Sequence, residues 1–383
     1  APLTLPGEVI EGDSDGSQIR NIKVVTPSDQ RVSAPCRHFK TCGGCNLQHA
    51  HDDLVADWKV SVVRRALKSL GLETEFRGIA TSPAKTRRRA SFAAKRSKSG
   101  AVVGFYARAS GTIVDIPDCQ LLDPALAEAR AAAAELARVG GSRKTALSVT
   151  VTLSDAGLDV LVRHGKPLDG PLRQQLAQVC QKLGLARLAW EDEVIAMAAP
   201  PEQVFGRARV VPPPGAFLQA TREGEAALLD SVRECVEGAG QIADLFAGCG
   251  TFSLPLAEDA EVRAIEGDAA MMRALDLGWR RAQGLKKVET EARDLFRRPL
   301  TPDELRRFDA VVLDPPRAGA EAQIAELVGS TVERIAHVSC NPVTFARDAR
   351  TLTEAGYVLK WIQVVDQFRW SSHIELAALF ERS

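Results

Sequence analysis

From Ala226 onward, short apolar runs alternate with stretches whose apolar residues recur at helical spacing. The runs 241–246, 261–266, 287–292, 308–313 and 334–339 read as strands buried on both faces. Helices are predicted over 222–237, 252–258, 268–282 and 342–353. Two more strands, 357–365 and 374–380, follow with no helix between them, so one of them is expected to be antiparallel. This alternation predicts an α/β fold, a Rossmann-like doubly wound sheet over residues 205–383.

The earlier part of the chain has a different rhythm. Two alternating runs, at 8–10 and 18–25, flank the turn-rich segment Gly12 to Ser17 and predict a hairpin. Residues 1–35 thus form a short β segment, too small to stand alone. Leu54, Trp58, Val62, Ala66 and Leu70 recur at helical spacing, which predicts a helix over 53–70 capped by Asp52 or Asp53, with a purely structural core face. Strands at 90–94 and 102–106, an alanine-rich helix from Asp123-Pro124 to Gly140, a hairpin around Ser154 to Gly157 and a helix over 171–183 complete a smaller α+β unit at 36–204. Pro212-Pro213-Pro214-Gly215 makes a stiff connector to the last unit.

Composition narrows the setting. The chain has 383 residues, 45% of them apolar, enough for two or three cores. Formal net charge is zero, so any nucleic-acid surface must be a local patch. No apolar run approaches the roughly 20 residues that span a bilayer, and Ala1 to Asp13 lack a signal-peptide pattern. A cytoplasmic, reducing compartment is expected, so the eight cysteines are read as ligands, nucleophiles or core residues. Nothing calls for a membrane or an obligate protein partner.

Cys36, Cys42 and Cys45 follow a Cys-x5-Cys-x2-Cys spacing with two glycines between the last pair. Three thiols in ten residues point to a metal or cluster site. Cys119, His38, His49 and His51 are candidates for a fourth ligand, and spacing leaves zinc and iron–sulfur equally open. Between Arg77 and Val114 stand nine Lys or Arg residues and no acid, densest at Lys85 to Arg89. A basic loop on a rigid sheet fits contact with RNA or DNA phosphates.

The chemistry concentrates at predicted strand ends, where open α/β sheets bind ligands. Asp244 to Thr251 is a glycine-bearing turn in which Gly248 and Gly250 admit a close ligand. Glu266, ending the next strand, suits ribose hydroxyls, and Asp294 suits an adenine amino group. The loop lacks the further glycine of a pyrophosphate fingerprint, which favours S-adenosylmethionine over NAD. Asp314-Pro315-Pro316-Arg317 makes a rigid acidic turn. Cys340, after an apolar strand and before Asn341-Pro342, is placed as a nucleophile, with Glu375 as a base and His373 as a rival base.

Cys36, Cys42, Cys45, Cys119, Phe217 to Gln219, Asp244 to Gly250, Glu266 to Asp268, Asp314 to Arg317, Ser339 to Pro342, Asp366 to Phe368 and His373 to Glu375 together resemble the RNA 5-methyluridine methyltransferases over roughly residues 36–383. The likeness is to the iron–sulfur members, which methylate uridine in ribosomal RNA in bacteria and in transfer RNA in archaea. It implies a class I methyltransferase domain and a [4Fe–4S] cluster on the four cysteines. It implies S-adenosylmethionine contacts at Gln219, Phe246, Thr251, Glu266, Asp294 and Asp314. It implies Cys340 as nucleophile, Glu375 as base and an RNA partner, 23S ribosomal RNA before transfer RNA. Asp314 would then accept the N3–H of uracil, and Phe217 would either stack on the flipped base or pack in the core. The sequence departs from the family at Thr221, where Asn is usual, and at Arg369 to Ser371, where a proline-containing run is usual. Its 35 amino-terminal residues are shorter than the OB-like RNA-binding domain of many members. Two other readings are exocyclic-amine methylation of nucleic acid by the Asp314 turn, and a non-enzymatic iron–sulfur RNA-binding module.

Overall fold

Eight strands form the sheet that carries the chemistry, in the order Val288–Ala292, Glu261–Glu266, Gln241–Leu245, Ala310–Leu313, Arg334–Ser339, Glu375–Arg382, Tyr357–Asp366 and Glu75–Thr81. They are seen in a computed structural model that describes residues 1–382. The first five are parallel. Glu375–Arg382 is antiparallel to both neighbours, as the missing intervening helix requires. Val311 and Val312 are both fully buried but pack into different cores, because successive strand side chains point to opposite faces. One face packs Leu228, Val232, Phe252 and Leu275; the other packs Val63, Leu67, Phe345 and Phe380.

Several expectations need correcting. The helix Glu321–Val328 lies between two strands that the sequence reading joined directly. The alanine-rich helix is broken into Pro124–Ala127 and Ala129–Gly140. The helix expected over 53–70 spans Asp52–Lys68 and is capped by His51, whose Nδ1 accepts from the Asp53 amide. Its buried stripe is Val55, Lys59, Val63 and Leu67, one residue on from the expected Leu54 to Leu70 stripe. A lysine at its centre hid the true face.

The 36–204 unit expected from the sequence takes in that helix and Glu75–Thr81, yet both join the carboxyl-terminal sheet. Glu75–Thr81 pairs in parallel with Tyr357–Asp366, which gives that strand's outer edge a hydrogen-bonding partner. The helix packs beside Pro342–Glu354.

A second, seven-stranded sheet runs Glu193–Met197, Arg187–Trp190, Gly157–Arg163, Leu147–Ser154, Arg89–Arg96, Ala101–Tyr106 and Ile113–Asp115. The helices Ala129–Gly140 and Gly170–Lys182 cover it, and Cys180 is buried there. The amino-terminal hairpin pairs Val9–Ser14 with Ile19–Thr26. Among the described residues no helix is long and apolar enough to cross a membrane.

Candidate active site

Strand order reverses at Gln241–Leu245, which has Glu261–Glu266 on one side and Ala310–Leu313 on the other. The crevice beyond its carboxyl end is where such sheets take ligands. The chain leaves the strand through Phe246 at φ 65°, Gly248 at φ 57° and Gly250 at φ 95°. Left-handed backbone is costly for a phenylalanine; here it sets the ring 5.5 Å from that of Phe296. A Cβ placed on Gly248 would have no neighbour within 4 Å, so bare backbone faces open space. Glu266 accepts from the Gly248 amide at 3.2 Å and the Asp268 amide at 3.1 Å. Asp294 accepts from the Phe296 amide at 3.0 Å. Beneath the turn, fully buried Asp244 accepts from the Ser253 hydroxyl, and burial pushes its carboxyl up to about 7.

A pocket of about 630 Å3 opens here. All eight residues singled out for catalysis or cofactor binding line it: Gln219, Phe246, Thr251, Glu266, Asp294, Asp314, Cys340 and Glu375. Phe217 lines it too and is 58% exposed, which places it on the rim rather than in the core.

Cys340 sits between the strand Arg334–Ser339 and the helix Pro342–Glu354. Asn341 caps that helix through its Oδ1, which accepts from the Val343 amide. The Asn341 Nδ2 donates to the Arg317 carbonyl at 2.9 Å, and the Thr344 hydroxyl donates to the same oxygen at 3.3 Å. The thiol loop is therefore tied to the Asp314 turn. Burial pushes the Cys340 thiol up to about 11; the charges of Glu375 and Asp314 add to this and Arg317 opposes it.

Glu375 opens the strand Glu375–Arg382 and is 3% exposed. Burial pushes its carboxyl up to about 7, against a hydrogen bond from Gln367. Asp314 is held well above the usual carboxylate range, by burial first and then by Glu375, Asp244 and Glu266. Crowded acids in a dry pocket favour neutral forms. His373 lies 3.4 Å from the Arg317 guanidinium, with its ring against Phe368.

Residues that the sequence reading passed over complete the site. Phe296 faces Phe246, and Met271 lines the pocket, as does Arg87 of the basic stretch already singled out. Gln367 lay within a quoted motif without a role, yet its amide bonds both Glu375 and Gln219. Only the extended backbone at a strand end signals such a bridging amide, and that signal is weak.

Part of the basic stretch is spent inside the protein, while Lys85, Arg96 and Lys98 stay exposed. Arg88 is buried, pairs with Glu225 and donates to the Gln219 carbonyl at 3.1 Å. Arg89 donates to the Gly215 carbonyl at 2.9 Å. These arginines fasten the seven-stranded sheet to the connector and the helix Arg222–Cys235, so they are not free for phosphates.

Cys36, Cys42, Cys45 and Cys119 line one small cavity with Phe39, Phe105, Ile116 and Leu121. His38 instead faces Asp118 at 3.1 Å. Among the described residues no group of three or more His, Cys, Asp or Glu is arranged to hold a metal ion. Burial pushes the Cys45 thiol up to about 12 and raises the other three. Four soft sulfur donors with apolar walls fit a thiolate-bound centre by their chemistry.

The profile of a family described as tRNA (Uracil-5-)-methyltransferase matches residues 281–383. An RNA methyltransferase of Mesorhizobium japonicum is 42% identical over 381 residues, covering 100% of this chain and 92% of that protein. The 23S rRNA (uracil(1939)-C(5))-methyltransferase RlmD of Halomonas elongata is 33% identical, over 94% of this chain and 78% of that protein. Among solved structures, the Pyrococcus abyssi tRNA (uracil-54, C5)-methyltransferase in complex with S-adenosyl-L-homocysteine shares the fold, with a TM-score of 0.74 at 23% identity over 99% of this chain and 94% of that one. By relatives that run its full length, and by a glycine turn, a cysteine and a buried glutamate around one pocket, the chain belongs to the S-adenosylmethionine-dependent RNA uracil-5-methyltransferase family.

Proposed function

We propose that the chain methylates carbon 5 of a uridine in RNA through a covalent adduct between Cys340 and carbon 6 of the base. The observation that carries this is the meeting of Cys340 and Glu375 in the pocket that the Gly248 turn also lines. Carbon 5 of uracil is a weak nucleophile. When the Cys340 thiolate bonds to carbon 6, the electrons of the 5,6 double bond move to carbon 5 and oxygen 4. Carbon 5 then attacks the sulfonium methyl group, whose bond electrons stay on sulfur as S-adenosylhomocysteine. Glu375 takes the carbon 5 proton, the double bond re-forms, and the thiolate leaves carbon 6.

Gln219, Phe246, Thr251, Glu266 and Asp294 hold the methyl donor, with Glu266 on the ribose hydroxyls and Phe246 and Phe296 beside the adenine. Asp314 accepts the uracil N3–H, which disfavours cytosine. The uridine must leave its stack to reach the thiol, and exposed Phe217 offers it a face at the rim.

RNA carrying 5-fluorouridine tests the reading, because fluorine cannot be taken as a proton. A stable enzyme–RNA complex that needs both Cys340 and the methyl donor is expected. Its absence would refute the covalent route. The RlmD relative makes ribosomal RNA the first target to examine; 5-methyluridine should vanish from it in a deletion strain. Loss from transfer RNA instead would transfer the same chemistry to the other substrate.

Cys36, Cys42, Cys45 and Cys119 are proposed to hold a [4Fe–4S] cluster, supported by the four sulfur donors ringing one cavity. Methyl transfer needs no electrons, so the cluster's part there is structural. Cys42 and Cys45 sit on the loop whose Asn46 and Leu47 amides donate to the Trp370 carbonyl at 2.9 and 3.0 Å. Those bonds join the cysteine loop to the segment between Gln367 and Glu375.

A further inference from the structure

We infer that Gln367 is a positioning residue for the proton-removal step: one buried amide holds the carboxylate of Glu375 and the amide of Gln219 in fixed relation. The inference rests on the reading of Glu375 as the base. Gln367 is 2% exposed. Its Nε2 donates to Glu375 Oε2 at 2.7 Å and to Gln219 Oε1 at 2.5 Å, and its Oε1 accepts from the Ala220 amide at 2.6 Å. Both amide hydrogens and the carbonyl are thus engaged. The orientation is fixed by its partners, since a backbone N–H must meet oxygen and a carboxylate must meet N–H. Gln219 in turn donates to Asp314 Oδ2 at 3.4 Å. A chain of hydrogen bonds therefore runs from the base, through Gln367 and Gln219, to the carboxyl proposed to read uracil N3.

The bridge is itself anchored from both sides. Asp366 and Phe368 flank it, and the Lys59 ammonium binds the Asp366 carboxylate at 2.6 Å and the Phe368 carbonyl at 3.2 Å. Gly224 makes room for it, because a Cβ there would press on the Gln367 Cβ at 2.6 Å. The charged and titratable groups around Glu375 are Asp314 on its turn, Cys340 at its strand end, the Lys59–Asp366 pair behind Gln367 and the Arg88–Glu225 pair behind Gln219, with Arg87, Arg317, His373, Glu266 and Asp294 lining the rest of the pocket. An amide N–H favours the ionised carboxylate, the form able to take the proton.

At the step concerned, Glu375 receives the carbon 5 proton, the C5–H electrons form the C5–C6 double bond, and the C6–S electrons return to Cys340. Gln367→Met keeps length and volume but removes the donors. With this variant the methylated Cys340–RNA adduct should accumulate on ordinary uridine RNA. Its decay should slow by about tenfold or more, and the acid limb of turnover should move up by about one pH unit. Trapping of 5-fluorouridine RNA at saturating methyl donor, which never reaches proton removal, should slow by less than adduct decay does and marks the variant as folded. Gln367→Glu, which sets a second acid against Glu375, should shift the limb further and serves if the methionine variant fails to fold. Glu375→Gln run alongside separates the two readings. An adduct with Glu375→Gln and none with either Gln367 variant overturns the role of Gln367 alone. No adduct with any of the three overturns the base as well.

Discussion

The Lys59 ammonium and the Asp366 carboxylate meet at 2.6 Å with almost no solvent contact, at 0% and 2% exposure. One lies on a helix near the start of the chain; the other ends a strand some three hundred residues later. A charge pair so enclosed needs both members, because either one alone would be a desolvated ion. Lys59→Met should therefore lower stability by about 3–5 kcal/mol, read as a fall in melting temperature. Asp366→Leu added to it should recover part of the loss. If Lys59→Met melts like the wild type, the pair carries no such weight.

Cys340 should react slowly as a free thiol. Burial, then Glu375 and Asp314, hold it up to about 11, so little thiolate exists at pH 8. Glu375→Gln removes a negative charge, the thiol pKa falls, and iodoacetamide labelling of Cys340 at pH 9 should speed up by at least about threefold, the effect of half a pKa unit. Arg317→Ala should slow it. Mass spectrometry of the labelled peptide gives both rates, and a slower Glu375→Gln variant would contradict the assigned field.

Gly248→Ala should separate stability from donor binding. The left-handed φ of 57° costs an alanine about 1–2 kcal/mol. The new methyl enters the open space where we place the donor, so affinity for S-adenosylhomocysteine should fall more than stability does. Calorimetric titration and thermal melting measure the two. Equal losses would remove Gly248 from the donor site.

Protein purified without oxygen should be brown and contain iron and inorganic sulfide. Cys119→Ser should lose the colour and lower the melting temperature. Chelation of the wild type should lower it before activity on saturating RNA declines, as expected of a structural centre. A colourless wild type containing zinc would replace the cluster with a simpler ion.

The pocket was legible because its residues stand at or just past the ends of predicted strands, where period and chemistry coincide: Asp244 and Glu266 lie in the last two positions of theirs, and Asp294, Asp314 and Cys340 come just after theirs. What escaped was non-local. Glu75–Thr81 looks like any half-buried strand, and only its pairing with Tyr357–Asp366 assigns it to the catalytic sheet. Lys59 breaks the apolar period of the true buried face, and the Asp366 that lets it be buried there is remote in sequence. The arginines at 88 and 89 read as a phosphate patch for the same reason: Glu225 and the Gly215 carbonyl, which absorb them, are far along the chain.

The edge strand Glu75–Thr81 also bears on how the protein is made. It emerges from the ribosome early, and its neighbour Tyr357–Asp366 reaches the rest of the sheet only through Glu375–Arg382, which inserts between that neighbour and Arg334–Ser339. During synthesis this strand must wait with its hydrogen-bonding edge unmatched, a state prone to intermolecular pairing. Closure of that sheet is thus a late event in synthesis.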